Sequence, residues 1–338
     1  MKRINLAIIG LGHWGPNFVR IFSQMREVNL CGICDNDKER LKQIKQLYHS
    51  NNFKIYSNYK KLLKNNILDA LIIATPASTH YKITKDALER NKHILVEKPL
   101  SLNIEEAEEL ISLAKKKKKV LMVGHTFLYN PAVRKIKEII EKKELGEIYY
   151  IHCRRTNLGP IRKDVNAIWD LAPHDISIIN YLLEKKPEVI SAYAQRFLPH
   201  KLEDVGFIIL KYPPNILAHI HVSWLDPKKI REMTIIGSKK MLVYDDTNIT
   251  EPIRIYDKGV MQKRYERPYY SFEEFQSIIR DGEVTIPKVE IAEPLKLECQ
   301  EFIDCILNNK ECLSNGEIGL EIVKILEEVK KNLKSSAI

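Results

Sequence analysis

Three glycines, Gly10, Gly12 and Gly15, follow directly on an apolar stretch and open a helix-like segment, with His13 and Trp14 between the last two. That spacing suits a tight turn, close approach of a pyrophosphate and close helix-to-strand packing, which are the demands of a dinucleotide site. Asp35, twenty positions after Gly15, closes the second apolar run, where a carboxylate can accept from the adenosine ribose hydroxyls. The same charge would repel a 2′-phosphate, so NAD is expected over NADP; Arg40 is the nearby cation that runs against this. The glycines alone also fit a plain turn. Strand, glycines, helix, strand and acid together favour the nucleotide site.

Farther on, Glu97, Lys98 and Pro99 end another apolar run, placing a lysine at the carboxyl edge of a parallel sheet, where doubly wound folds bind ligands. A surface lysine in a turn is the competing reading. Asp170 and His174 are four apart, so on a helix they share a face and could point into one cleft. An isolated pair of this kind is equally explained as core or surface. Residues 154–163 carry four cations, which could grip a carboxylate or diphosphate, with Arg155 and Asn157 as candidate substrate contacts. Strand alternation puts Arg154 and Arg155 on opposite faces, and a solvated loop or subunit contact explains the same run. Cys31 and Cys34 make a CxxC, but on a strand residues three apart face opposite ways, and no second pair completes a zinc site. No metal is expected.

The elements that must position these residues alternate over the first 125 positions. Residues 5–9, 29–34, 68–74, 93–96 and 120–123 read as strands, with a weaker one near 54–56, and 16–25, 38–48, 79–90 and 104–117 as helices. This order predicts an α/β fold: an N-terminal doubly wound parallel sheet of Rossmann type over residues 1–125. Residues 126–338 read as a second, α+β domain. Its helices are expected at 133–143 and 171–183 and its strands at 147–154, 189–197, 205–211, 216–224, 232–236 and 240–244, with helices at 295–307 and 317–333 closing it. Short gaps between the later strands predict a largely antiparallel open sheet.

A chain of 338 residues has room for about two domains, each with its own core. Six scattered cysteines are too few for a disulfide framework and point to a reducing, cytoplasmic setting. No apolar run approaches the roughly 18 residues of a membrane span. The opening MKRINLAIIGLG imitates a signal peptide, but His13 and Trp14 stand where a small-residue cleavage site belongs, so it reads as a first strand. A net charge of +10 can attract an anionic ligand. The densest lysine run, 115–119, closes an amphipathic helix where cations suit the dipole, and no nucleic-acid signature accompanies it. Neither a nucleic-acid nor a membrane partner is expected.

With the glycine fingerprint, Ala74-Thr75-Pro76 followed by His80, Glu97-Lys98-Pro99, and Gly124-His125 ahead of Asn130-Pro131, the sequence resembles the Gfo/Idh/MocA oxidoreductase family over nearly its whole length. Trp169-Asp170-Leu171-Ala172-Pro173-His174-Asp175 matches the family's second-domain motif. The resemblance implies that Lys98, Asp170 and His174 are the catalytic constellation, that Asp170 and His174 also contact substrate, and that Thr75, Pro76, His80, Glu97 and Lys98 join the glycine turn, His13, Trp14 and Asp35 around the cofactor. It also implies that residues 126–338 are the domain for substrate binding and oligomerisation, and that a cis peptide precedes Pro99. The residue types suit dehydrogenation of a secondary alcohol: histidine as general base, aspartate orienting the ring, and lysine stabilising charge on the substrate oxygen. Leu128 stands where the family frequently has arginine, and Ser177 where an aspartate often follows the histidine. The implied activity is an NAD-dependent dehydrogenase or ketoreductase acting on a sugar, polyol or sugar nucleotide. An NAD-dependent glycosidase and a non-catalytic NAD- or sugar-binding regulator stay open. A homo-oligomer, dimer or tetramer, is expected through the second-domain sheet, whose strands at 205–210 and 216–224 are long and apolar.

Overall fold

Strands buried on both faces read as unbroken apolar runs, and such runs dominate one six-stranded sheet in the computed structural model, which describes residues 3–48, 52–260 and 279–334. In chain order come β1 (Ile4–Ile9), α1 (Gly15–Gln24), β2 (Val28–Cys34), α2 (Lys38–Leu47), β3 (Lys54–Tyr56), α3 (Tyr59–Leu62), β4 (Ala70–Ile73), α4 (His80–Glu89), β5 (His93–Glu97), α5 (Ile104–Lys117) and β6 (Leu121–Gly124). All six strands pair in parallel in the order β3-β2-β1-β4-β5-β6. Consecutive strands thus step one way from β1 and then the other, which makes the carboxyl ends of β1 and β4 the switch point where a crevice opens. Side-chain caps fix the helices: Asp37 accepts from the N–H groups of Glu39 and Arg40 at α2, and Asn103 from Glu106 at α5.

The second sheet surrounds one long strand. After α6 (Pro131–Glu141) come β7 (Ile148–Leu158), α7 (Ala167–Leu183), β8 (Glu188–Gln195), β9 (Val205–Tyr212), β10 (Ile216–Ser223), β11 (Leu225–Gly237), β12 (Met241–Asp245), β13 (Ile253–Val260) and β14 (Ile279–Thr285). Two helices, α8 (Pro294–Asn308) and α9 (Gly316–Lys331), and the short β15 (Leu333–Lys334) follow. The strand order is β14-β13-β12-β11-β7-β10-β9-β8-β15. The expected antiparallel meander is therefore present in two pieces, β8 to β10 and β11 to β14, and β7 lies between them, parallel to β10 and antiparallel to β11. Helix α7 covers one face, approaching so closely that a Cβ on Gly206 would lie 2.4 Å from Ile168. On the other face Tyr150, Phe207, Ile209 and Leu217 are exposed, and the Phe207 ring stacks on His221 with centroids 4.4 Å apart.

The chain packs as two units, Met1–Tyr129 with Glu293–Glu327, and Asn130–Ala292 with Glu328–Ile338. The expected boundary at residue 125 falls near the first crossing, but α8 and most of α9 pack with the parallel sheet and not with the second domain. Specific bonds account for this. Val123 N–H donates to the Ser314 carbonyl (2.8 Å), Thr126 Oγ1 to Glu298 Oε2 (2.9 Å), and Tyr129 Oη lies 2.9 Å from Ser314 Oγ.

Candidate active-site residues

In the first unit the glycine turn sits at the switch point. A Cβ on Gly10 (φ +94°) would lie 2.4 Å from the Ala74 carbonyl oxygen, and one on Gly15 would lie 2.1 Å from the Gly10 oxygen. At Gly12 the nearest atom would be Arg40 Nη1 at 3.8 Å, so this position leaves open space. Two glycines close the turn and the third keeps its surface clear, which fits a pyrophosphate resting on the α1 N-terminus. His13 and Trp14 are exposed there, their rings edge to face at 5.4 Å. Asp35 is 7% exposed and held at both oxygens: Leu11 N–H donates to Oδ2 (2.6 Å) and Asp37 N–H to Oδ1 (2.8 Å). Each oxygen retains a lone pair for a ribose hydroxyl. The nearby cation is Arg40, with Nη1 3.9 Å from Asp35 Oδ2 and a half-exposed side chain. Among this chain's own residues, the set fits a dinucleotide.

Beside β4, Thr75 Oγ1 accepts from Thr79 Oγ1 at 2.7 Å, and Pro76 is exposed. His80 is 1% exposed, with Nδ1 2.7 Å from the Pro99 carbonyl and Nε2 2.8 Å from that of Thr75. Its ring ties two loop segments together, so it positions Thr75 and Pro99 and is not presented to a ligand as expected. A neutral imidazole satisfies one of these carbonyls and an imidazolium both.

Glu97 ends β5 and Lys98 follows it, both 8% exposed, and the Lys98–Pro99 peptide is cis. The missing side chain of Gly124 makes room for the Glu97 carboxylate, since a Cβ there would lie 3.2 Å from Oε2. Two buried groups beside this pair, His125, which the sequence offers only as part of a family motif, and Glu298, are given no site role by sequence reasoning. His125 is buried with neither ring nitrogen hydrogen-bonded among the described residues, and burial, then the Lys98 charge, holds its pKa down to about 3. Glu298, from α8, is fully buried with Oε1 unpartnered among the described residues, and burial and then the Glu97 charge push its carboxyl well above the ordinary range. Burial beside Glu97 thus favours the neutral form of the Glu298 carboxyl.

In the second unit α7 begins at Ala167, four residues before the expected start. Asn166 caps it, accepting from Trp169 N–H at 2.9 Å, and Pro173 lies inside it. Asp170 therefore stands in the first turn, with His174 one turn on. Asp170 is held from two sides: Arg162 Nη1 donates to Oδ1 (3.0 Å) and Trp224 Nε1 to Oδ2 (3.2 Å). Arg162 is itself clamped by Asp164, at 2.9 and 2.6 Å.

The basic run does not form the free grip expected of it. Strand β7 continues to Leu158, and Arg155 faces inward, where it donates to both oxygens of Asp175 (3.0 and 2.8 Å) with both side chains 4% exposed. Burying that guanidinium requires a carboxylate partner, so Arg155 holds Asp175 and is corrected from a substrate contact to a structural ion pair. Arg154 points the other way, to Asp226 at 2.9 Å. The Asn157 amide is turned onto the Gly159 carbonyl. Cys31 and Cys34 are buried free thiols.

Comparison with known proteins extends these observations. The profile of the GFO/IDH/MocA oxidoreductase family with an NAD-binding Rossmann fold matches residues 4–125, and that of the GFO/IDH/MocA C-terminal domain matches residues 133–243. The chain belongs to the GFO/IDH/MocA family. Residues 4–125 are its NAD-binding Rossmann domain, and the chain is an oxidoreductase. The UDP-N-acetylglucosamine 3-dehydrogenase of Acidithiobacillus ferrooxidans is 24% identical over 335 residues, covering 98% of this chain and 97% of that protein. Its crystal structure matches with a TM-score of 0.79 over 98% of both chains at 22% identity, a likeness of fold. The myo-inositol 2-dehydrogenase of Thermotoga maritima is 22% identical over 303 residues, 86% of this chain and 90% of that one. The oxidoreductase YrbE of Bacillus subtilis, itself uncharacterised, is 29% identical over 199 residues, and that match spans 57% of each protein.

Proposed function

We propose that this chain transfers a hydride between NAD and a secondary alcohol or ketone of a sugar, polyol or sugar nucleotide. The observation that carries the proposal is a buried lysine, Lys98, at the same carboxyl sheet edge as the glycine turn and Asp35. When bound, the nicotinamide accepts or returns the hydride. This chain's residues do the rest: Asp35 takes the ribose hydroxyls, Lys98 stabilises charge on the substrate oxygen, His174 accepts the hydroxyl proton, and Asp170, fixed by Arg162 and Trp224, receives a substrate hydroxyl. The arginines of β7 are paired with Asp226 and Asp175, so they do not by themselves supply a free grip for an anionic substrate group. The breadth of relatives, from a sugar-nucleotide to an inositol dehydrogenase, supports the class and not one member of it.

The apolar outer face of the second sheet, with Tyr150, Phe207, Ile209 and Leu217 exposed together, supports assembly with a second copy of this chain. Light scattering at micromolar concentration is expected to give a multiple of 39.4 kDa; a monomer mass would refute assembly. Six free cysteines support a reducing compartment, and among the described residues no helix is long and apolar enough to cross a membrane.

The test of activity is NADH formation from NAD across sugars, polyols and UDP- and dTDP-sugars. A signal lost in Lys98→Ala supports the dehydrogenase. Glycoside cleavage without net NADH would replace it by the glycosidase, and NAD binding without turnover by the regulator.

A further inference from the structure

The first unit contains a cavity of about 290 Å³ among the end of α5, the start of β6 and the connection between α8 and α9. Cys305 and Cys312 both line it, buried and free, and within hydrogen-bonding contact of one another. The bond from Cys312, with Lys310 assisting, holds the Cys305 thiol below its ordinary range against the effect of burial. The Cys312 thiol, which gives that bond, is pushed up. A thiol that accepts a hydrogen bond from its neighbour is the one whose thiolate is favoured, which makes Cys305 the attacking sulfur and Cys312 the resolving one.

The lining is cationic. Lys118 and Lys310 make no ion pair among the described residues, while the acids at the rim are engaged, Glu317 by Lys115 and Glu311 by Asn315. His93 carries a sharper signal. Val120 N–H donates to Nδ1 at 3.2 Å, and burial, then Lys119, lowers the ring's pKa to about 4, so at neutral pH the ring is neutral with its hydrogen on Nε2. Lys119 Nζ lies 3.4 Å from that Nε2. Two donors lie side by side, an arrangement that an oxyanion accepting from both satisfies.

We propose that Cys305 and Cys312 form a thiol–disulfide exchange site for an anionic low-molecular-weight disulfide, whose carboxylates are received by His93, Lys118, Lys119 and Lys310. The Cys305 thiolate attacks one sulfur of the incoming disulfide; its S–S bond breaks, a mixed disulfide forms and the first thiolate leaves. Cys312 then loses its proton and attacks the Cys305 sulfur, closing the Cys305–Cys312 bond and releasing the second thiolate. Two electrons pass from the protein dithiol to the small disulfide, and both released thiolates take up protons.

The experiment treats the reduced full-length chain with oxidised glutathione or with uncharged bis(2-hydroxyethyl) disulfide, then maps thiols by alkylation and peptide mass spectrometry. Oxidised glutathione is expected to link Cys305 to Cys312 and leave the other four cysteines alkylated. Cys312→Ser should stop at a mixed disulfide on Cys305. Lys118→Gln combined with Lys310→Gln should slow the reaction with oxidised glutathione roughly tenfold and leave the uncharged reagent unaffected. Six unchanged thiols in the native chain, glutathione attached to other cysteines, or equal slowing with both reagents would overturn the proposal.

Discussion

Replacing Glu298 by glutamine is expected to stabilise the first unit, and increasingly so as pH rises. The parent must keep a proton on a fully buried carboxyl whose folded pKa lies well above its ordinary value, while the unfolded chain releases that proton above its ordinary range. For a raised acid the penalty is absent below the unfolded pKa, grows with pH, and levels off once the folded group ionises. Its slope is about 1.4 kcal/mol per pH unit, or about 2.7 kcal/mol between pH 5 and pH 7 while the folded group stays protonated. Glutamine has nearly the same shape and keeps an oxygen for the 2.9 Å bond from Thr126, so little is lost in exchange. His125 has the opposite linkage, its stability lost as pH falls from the ordinary histidine range toward about 3. It is present in both proteins and cancels in the difference. Urea unfolding of parent and variant from pH 5 to 8, followed by circular dichroism with amide exchange at β6 to assign the transition, measures the effect. A variant-minus-parent difference that stays flat across that range refutes a protonated Glu298.

Asp35→Ala should weaken NAD binding and narrow the preference over NADP, read by calorimetry with both nucleotides, because ribose acceptor and repelling charge vanish together; unchanged discrimination would remove Asp35 from the site. His174→Ala should lower turnover roughly 100-fold or more with NAD affinity nearly unchanged, and unaltered turnover would end its assignment as base. Asp175→Asn should cost the second unit about 3–5 kcal/mol, since it removes the carboxylate that receives two bonds from the buried Arg155; a loss below about 1 kcal/mol in denaturant unfolding would show that this ion pair does not hold the fold.

The nucleotide half was legible in the sequence because its constraints are local. Glycines at fixed offsets, a carboxylate at the end of the next strand and unbroken apolar strands each leave a mark within a few residues. The second unit was less legible. Helix α7 starts four residues before the expected position because Asn166 caps it there, and it runs through Pro173, a residue that ordinarily interrupts a helix. Arg155 looked like a ligand grip because nothing local reveals that Asp175, twenty residues away, faces it on an adjoining element. Arg162 and Trp224 meet at Asp170 only through the return of distant strands. Glu298 carries no signal beyond being a lone acid in an otherwise apolar helix stripe, and β13 and β14 show no strand pattern because their sequences mix charge with apolar residues.

Completion of the nucleotide unit by residues 293–327 sets an order on the ribosome. The β6 edge and the segment after it receive Ser314, Glu298 and α9 only after all of residues 130–292 have been made. Gly319 shows how closely that last helix seats, since a Cβ there would lie 2.7 Å from Val123 and 3.2 Å from Leu100. At roughly 5–20 residues per second the wait is on the order of ten seconds or more. During it the nascent parallel sheet carries an apolar flank with no cover, which makes this flank the place where a holding chaperone would act on the growing chain and where premature termination would leave an aggregation-prone fragment.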